Sequence, residues 1–175
     1  MKVKSQKSKV KKGFTIFFAM LVGGLALAVG IAIYDLTVRE LDLSGTATQS
    51  QYAIYAADTG AECALYWDFK CPGSLCSAGS AGSAFATSSF SMGPLNSTGI
   101  LCNGIDITNA LANPVKSADS ATTTFTVTFS PRPYCVTVQV EKSGSPILTT
   151  VTSKGYNTCA AAGVTRLERV LQVTY

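Results

Sequence analysis

A basic leader at the N-terminal end of this chain stops abruptly at a long uncharged apolar run. Residues 1–13 carry six lysines and no acidic residue, and residues 14–34 contain no charged residue in 21 positions. A helix rises about 1.5 Å per residue, so this run covers roughly the 30 Å hydrocarbon core of a bilayer. The run therefore predicts a transmembrane helix, and the rest of the fold has to be compatible with it.

The position of Gly13 distinguishes this leader from a secretory signal peptide. A signal peptide has a shorter apolar stretch of about 7–15 residues, with small residues at a cleavage site on its far side. Here the small residue, Gly13, lies on the near side, between the lysines and the apolar run. Cleavage after Gly13 would remove the positive charge and leave the hydrophobic helix on the protein.

The charge of the chain is unevenly distributed. The net charge is +4, but without the six leader lysines 8 basic residues face 10 acidic ones, which leaves about −2 from Phe14 onward. We therefore expect no nucleic-acid partner, because no basic patch remains. Lysines before the span and Asp35, Glu40 and Asp42 after it predict a cytoplasmic N-terminus and a C-terminal part outside the cytoplasm.

All six cysteines follow the apolar run: Cys63, Cys71, Cys76, Cys102, Cys135 and Cys159. An even number in a small exported domain favours disulfides over metal binding. The chain has no histidine and no CxxC pair, so we expect no metal and no cofactor. Six cysteines allow 15 connectivities. Proximity favours a Cys71–Cys76 bridge, and a link between Cys135 and Cys159 is among the remaining pairings.

Residues 14–69 contain no proline and predict one long helix. Residues 14–34 form its apolar part, and residues 35–69 form an amphipathic continuation. In the continuation one predicted stripe, expected to pack on a sheet, contains Tyr52, Ala56, Gly60, Cys63 and Trp67.

The remainder of the chain divides into an irregular part and a regular part. Residues 70–121 are rich in Gly, Ser, Ala and Asn and predict a disulfide-containing loop region with one or two brief strands or turns. A glycosylation sequon at Asn96 is short enough to arise by chance. Residues 122–175 alternate with period two and predict an antiparallel meander of about four strands. The predicted fold class is therefore α+β, with a long N-terminal helix packed on a C-terminal antiparallel sheet.

The sequence shows no catalytic constellation. Without histidine, no serine–histidine or cysteine–histidine relay can form. Asp58 and Glu62 are four residues apart on the predicted helix and could share a face. A solvated helix face is the more common role for such residues, so we expect a protein that is not an enzyme.

Two segments resemble one known family. Lys11-Lys12-Gly13-Phe14-Thr15, followed by the uncharged run to Tyr34, resembles the class III leader of type IV prepilins. Residues 55–62, YAADTGAE, resemble a segment of minor pilins of the PilX-like group. The resemblance covers roughly the first 65 residues. It implies cleavage between Gly13 and Phe14 by a prepilin peptidase, and a pilin-like fold.

One residue departs from the family pattern. Members usually carry glutamate at the position of Phe18, where it is thought to pair with the free amino terminus of a neighbouring subunit. Phe18 removes that pairing, and Asp35 lies 17 residues further on, about 25 Å along a helix. The resemblance therefore favours a minor pilin or a pseudopilin over a major pilin.

The resemblance therefore implies a structural subunit of a type IV pilus or related filament. Its expected partners are the prepilin peptidase, other pilin subunits, assembly-platform proteins and, before assembly, inner-membrane lipid. The expected location is the cytoplasmic membrane as a single-pass protein and then an extracellular filament. Two alternatives stay open: an uncleaved membrane-anchored binding or adhesin domain, with residues 72–99 as its recognition loop, and a pseudopilin of a type II-like secretion system.

Overall fold

The computed structural model describes residues 12–71, 82–89, 99–160 and 166–175. The elements follow in the order α1 Lys12–Phe69, β1 Leu101–Cys102, β2 Ile105–Asp106, α2 Thr108–Ala112, β3 Val115–Lys116, β4 Ser120–Thr128, β5 Cys135–Ser143, β6 Leu148–Tyr156 and β7 Glu168–Thr174. The chain divides into two compact units, Met1–Gly45 and Thr46–Tyr175, and α1 contributes to both. The predicted α+β class is confirmed.

In the first unit, α1 exposes every side chain from Phe14 to Gly45. A helix satisfies its backbone polar groups internally, so such a segment can lie in lipid without unpaired N–H or C=O groups. Among the residues that the structure describes, α1 is the helix long and apolar enough to span a membrane, and its most apolar stretch is unburied. α1 is therefore a candidate membrane span.

In the second unit, five antiparallel strands form a sheet in the order β3-β4-β5-β6-β7. Four of them match the four strands predicted after residue 121, and β3 adds a short fifth strand at the edge. The additional edge forms because the Ser117 hydroxyl accepts a hydrogen bond from the Ser120 N–H at 3.1 Å and closes a tight turn. β3 and the first two residues of β4 lie within residues 70–121, for which a loop region is predicted.

The inward face of the sheet is apolar, as the period-two pattern predicts. β4 to β6 alternate buried and more exposed residues along most of their length. The largest fully buried aliphatic side chains of these strands are Val127, Val136, Val138, Val140 and Val151. Their β-branched side chains suit a pleated surface, and this face forms the core beneath the second half of α1.

The helix packs on the sheet through a different stripe from the predicted one. Ala56 and Gly60 are buried as predicted, but Tyr52 is 37% exposed, and Cys63 and Trp67 are only partly buried. The buried face instead consists of small residues, Ala53, Ala56, Ala57, Gly60, Ala61 and Ala64. The buried stripe is thus shifted around the helix by about one residue from the predicted stripe, and alanine occupies most of its positions.

Close approach of the helix and the sheet explains this rotation. A Cβ added to Gly60 would lie 2.7 Å from a Cγ2 atom of Val136, a Cγ2 atom of Val138 and the Ser153 Oγ. The buried Ser153 hydroxyl donates to the Ala57 carbonyl oxygen at 2.6 Å. Because larger side chains do not fit at this distance, the bulky members of the predicted stripe lie at its margins.

Candidate functional site

The predicted cleavage junction lies at the start of α1. Gly13 belongs to the first turn of the helix, and the Phe14 side chain is 75% exposed. The leader residues 1–11 lie outside the described residues. Cleavage between Gly13 and Phe14 therefore stays a prediction.

The apolar segment of α1, residues 14–34, is exposed along its whole length. Phe18, at the position where the resemblance implies glutamate, is 59% exposed, and large apolar neighbours along the segment are exposed to a similar degree. An exposed apolar surface of this extent needs either lipid or other protein around it. Just beyond the segment, Arg39 and Asp35 form an exposed ion pair at 3.3 Å.

A buried polar cluster joins the end of α1 to the sheet. The Lys142 Nζ lies 2.6 Å from the Asp68 Oδ1, and both side chains are less than a tenth exposed. The Tyr175 hydroxyl donates to the Asp68 Oδ2 at 2.7 Å, and the Ser83 hydroxyl donates to Oδ1. Both carboxylate oxygens are thus occupied, which suits a structural tie between segments.

Electrostatics at this cluster keep the tyrosine protonated. Burial, followed by the hydrogen bond and the negative charge of Asp68, raises the pKa of Tyr175 far above its usual value. The Tyr175 ring also packs on Phe69, with ring centroids 4.9 Å apart. The hydroxyl therefore remains a donor to the carboxylate at any physiological pH.

Sequence reasoning missed this cluster. Asp58 and Glu62, the pair predicted to share a solvated helix face, are both exposed, whereas Asp68 of the same helix is buried. Val136, Val138 and Val140 point inward on β5, and the next inward position is Lys142. If the alternation of β5 is continued by two residues beyond Val140, it predicts that the Lys142 side chain is buried. A buried charge of this kind needs an acidic partner.

One disulfide joins two cysteines that the sequence analysis did not pair. Cys63 of α1 bonds Cys102 of β1, a pair that proximity in the sequence did not favour. Cys71 is also disulfide-bonded, but its predicted partner, Cys76, lies outside the described residues, as does the sequon at Asn96.

A hairpin brings Cys102 to the helix. β1 and β2 are joined by Asn103 and Gly104, whose φ angles are +48° and +77°. This two-residue connection is the turn that an Asn-Gly pair favours. The Trp67 indole N–H donates to the Leu101 carbonyl at 3.1 Å and fixes the hairpin against α1. The Asn-Gly signal was present in the sequence and could have predicted this element.

The predicted link between Cys135 and Cys159 is not formed. Both residues are free thiols, with Cys135 buried and Cys159 exposed. Burial raises the pKa of Cys135 to about 12, and a hydrogen bond with the Cys159 side chain adds to the shift. This hydrogen bond shows that the two cysteines are neighbours. The Cys159 N–H also donates to the Pro133 carbonyl at 2.8 Å, close to the start of β5.

A polar cavity of about 430 Å³ lies at the other end of the sheet from Cys135. Its lining includes Thr87, Ser88 and Ser89. It also includes Asp119, which lies between β3 and β4, and the turn between β5 and β6. Half of the lining residues carry a hydroxyl group, and the lining includes Lys142 of the buried cluster. No group of three or more potential metal ligands occurs among the residues that the structure describes.

Comparison with protein-family models, with curated protein sequences and with solved structures gives no match to this chain.

Proposed function

We propose that this chain is a structural subunit of a type IV pilus or related filament, a minor pilin rather than a major one. One observation carries the proposal. α1 has a fully exposed apolar segment in the first unit, and in the second unit its small-residue face is buried against an antiparallel sheet. Such a helix can be held by lipid first and by other helices later, while the sheet domain stays folded.

In the membrane stage, the lysines of the leader lie on the cytoplasmic side and the sheet domain lies outside. The positive-inside rule supports this orientation. The Cys63–Cys102 disulfide supports it as well, because such bonds persist in oxidising compartments. Before assembly the chain is thus a single-pass protein of the cytoplasmic membrane.

In the filament stage, prepilin peptidase has cut after Gly13, and helix-to-helix contacts replace lipid around residues 14–34. Assembly-platform proteins and other pilin subunits are the partners in this step. Phe18 cannot form the ion pair that glutamate would form with a neighbouring amino terminus, which supports a minor subunit. In this function the chain is structural and not an enzyme.

Gly13→Ala tests the proposal directly. We expect the variant to accumulate as an uncleaved precursor, while the wild-type chain yields a mature form that begins at Phe14. Intact-mass spectrometry measures the N-terminus and any methylation of the new Phe14 amine. Gly24→Ala is the matched control, because it also replaces a glycine of α1 and should leave cleavage unchanged. A wild-type chain that retains Met1 contradicts the proposal.

A second candidate is an uncleaved, membrane-anchored binding domain. The cavity lined by Thr87, Ser88 and Ser89 favours it, because these residues belong to the Gly/Ser-rich stretch expected to act in recognition. Retention of the lysine leader in the wild-type protein would support this candidate over the filament subunit.

A further inference from the structure

The buried side chains of Asp68 and Lys142 are placed as two reactants as well as an ion pair. The Lys142 Nζ lies 2.6 Å from the Asp68 Oδ1, and both side chains are less than a tenth exposed. The Asp68 Cγ is one C–O bond, about 1.2 Å, from Oδ1, so Nζ lies less than about 3.9 Å from this carbon. Reacting atoms are held about 3–3.5 Å apart in a productive complex. The nitrogen is therefore close to the distance from which an amine attacks a carboxyl carbon.

Backbone pairing holds the reacting groups at one level of the sheet. Lys142 of β5 is paired with Thr149 of β6. Thr149 in turn exchanges two backbone hydrogen bonds, at 2.9 and 3.0 Å, with Tyr175, which directly follows β7. Asp68 reaches the same level from the last turn of α1. Because helix and sheet fix these positions, the amine and the carboxyl group stay together for as long as the protein is folded.

Two hydroxyl groups surround the Asp68 carboxyl group. The Tyr175 hydroxyl donates to Oδ2 at 2.7 Å, and burial together with Asp68 raises the pKa of Tyr175 far above its usual value, so this donor stays protonated. A fixed donor at this place stabilises the negative charge that develops on oxygen when a nucleophile adds to the carbon. The Ser83 hydroxyl donates to Oδ1 and accepts a hydrogen bond from the Phe85 N–H at 3.0 Å. Both carboxyl oxygens are thus held for attack at Cγ.

Burial also favours the protonation states that a reaction needs. A buried ion pair has lost the hydration of both charges, and transfer of one proton from Nζ to Oδ1 removes both charges at once. The transfer leaves an amine with a free electron pair beside a neutral carboxyl group, which are the forms that react with each other. Lys142 also lines the cavity of about 430 Å³, which provides space for a released water molecule.

We propose that Lys142 and Asp68 join through an intramolecular amide bond after the chain has folded, and that the ion pair in the structure is the state before this reaction. Once a proton has moved from Nζ to Oδ1, the Nζ electron pair forms a bond to Cγ, and one C=O electron pair moves to Oδ2, where the Tyr175 hydroxyl binds it. A second proton then passes from the nitrogen to Oδ1, the C–Oδ1 bond breaks, and the C=O bond forms again. One ammonium and one carboxylate thus become one amide and one water, without an oxidant, a reductant or another reactant.

The amide bond fixes the end of the helix to the sheet covalently. Asp68 is the last residue but one of α1, and Lys142 is the last residue but one of β5. The Cys63–Cys102 disulfide makes a comparable connection, but it persists only in an oxidising compartment. An amide persists under reducing conditions as well. The bond needs only the folded second unit and does not depend on the proposed filament function.

Mass spectrometry of the full-length chain, purified in detergent and then reduced and unfolded, tests the bond. We expect a mass that is one water molecule below the mass calculated from the sequence, and peptide maps in which the Asp68 and Lys142 peptides are joined. Lys142→Arg keeps a cation beside Asp68 but removes the nucleophilic amine, so this variant should lose no water. Lys154→Arg, at an exposed lysine of β6, is the matched control and should lose water as the wild type does.

The rate of the reaction tests the part played by Tyr175. During cell-free synthesis into detergent, the fraction of the chain that has lost water should rise with time after folding. Tyr175→Phe should slow this rise by about a hundredfold, because it removes the donor to the charged oxygen. Tyr156→Phe, which removes a hydroxyl from β6, is the control and should react at the wild-type rate. Circular dichroism verifies that each variant is folded, and an unchanged rate in folded Tyr175→Phe excludes Tyr175 from the reaction.

The wild-type chain alone decides the outcome if the variants fail to fold. A reduced and unfolded wild-type chain that keeps its full calculated mass overturns the proposal. A loss of water that persists in Lys142→Arg, or that maps to another pair of residues, overturns it as well. Failure of the filament function has a separate signature, because an uncleaved leader changes the N-terminus and leaves the internal bond unaffected.

Discussion

Gly155 of β6 lies directly beneath Ala57 of α1, with no space for a side chain between them. A Cβ built on Gly155 would lie 2.5 Å from the Ala57 backbone nitrogen and 3.0 Å from its Cβ, and it would overlap the Ala53 carbonyl oxygen. These neighbours are mostly helix backbone, which cannot rotate away as a flexible side chain can. The distance between helix and sheet is therefore fixed at this residue.

Gly155→Ala should destabilise the second unit by about 3 kcal/mol or more, because the helix must move away from the sheet. Gly60→Ala should cost less, about 1–3 kcal/mol, since the atoms it meets belong to the side chains of Val136, Val138 and Ser153. Urea unfolding followed by circular dichroism measures both. Gly45→Ala is the control, because a Cβ there meets nothing within 4 Å, and the variant should be as stable as the wild type or slightly more stable. Equal effects at the three glycines would contradict the close packing.

The buried pair of Asp68 and Lys142 gives a second prediction. Lys142→Met should destabilise the protein by about 3–5 kcal/mol, because it leaves the Asp68 carboxylate buried without its cation. The double variant Asp68→Asn/Lys142→Met should recover part of that loss, since it removes both charges together. A double-mutant cycle of unfolding free energies separates the interaction from the individual losses. Additive effects would show that the two residues do not interact.

Tyr175 predicts a loss of stability at alkaline pH. Its pKa is raised above the ordinary value of 10.0 by burial and by Asp68, so the unfolded chain releases this proton before the folded chain does. The resulting stabilisation is complete below pH 10 and is lost as the pH rises beyond it. Melting temperatures from pH 8 to 11.5 measure the effect. Tyr175→Phe should show a shallower decline over this range, and a decline identical to that of the wild type would exclude Tyr175 as its source.

The Cys63–Cys102 disulfide should contribute substantially to stability. The bond closes a loop with a sequence separation of 39, and loop-closure entropy gives about 3–4 kcal/mol for that length. Cys63→Ser/Cys102→Ser should lose about this amount in urea unfolding. Cys159→Ser, which removes an exposed free thiol, should leave stability nearly unchanged. Mass spectrometry without reduction should recover the peptides of Cys63 and Cys102 joined.

The two free thiols should react at very different rates. Cys159 is exposed, whereas Cys135 is buried and its pKa is raised to about 12. Because the thiolate is the reactive form, we expect N-ethylmaleimide to modify Cys159 at least tenfold faster at pH 7.5. Peptide mapping over a time course measures the two rates. Similar rates in the folded protein, or a disulfide between the two residues, would contradict the assignment of Cys135 as a protected thiol.

Much of the architecture followed from local patterns in the sequence. Absence of proline predicted a continuous helix to Phe69, and the alternation of Phe125, Val127, Val136 and Val138 predicted the paired strands. The predicted packing face of the helix, which runs from Tyr52 to Trp67, lies about one residue away from the buried face. Contact distance selects alanine and glycine there, and a sequence does not reveal how closely two elements approach.

The candidate sites also combine features that the sequence predicts with features that it does not. The sequence left a link between Cys135 and Cys159 open, and the two residues are neighbours, but it could not show that they remain thiols. It also gave no reason to join Cys63 to Cys102, because that pair depends on a hairpin folding back onto α1. The partner of Asp68 was hidden for the same reason, since Lys142 is distant in the chain and adjacent only in the folded protein.

By itself the sequence determined the helix, the alternating strands and the uncharged run that needs lipid or protein around it, because these depend on residues a few positions apart. Only the tertiary structure decided which helix face meets the sheet, which cysteines bond and how the Asp68 charge is compensated. Those outcomes depend on distances between residues far apart in the chain, and these distances are set when the whole core packs together.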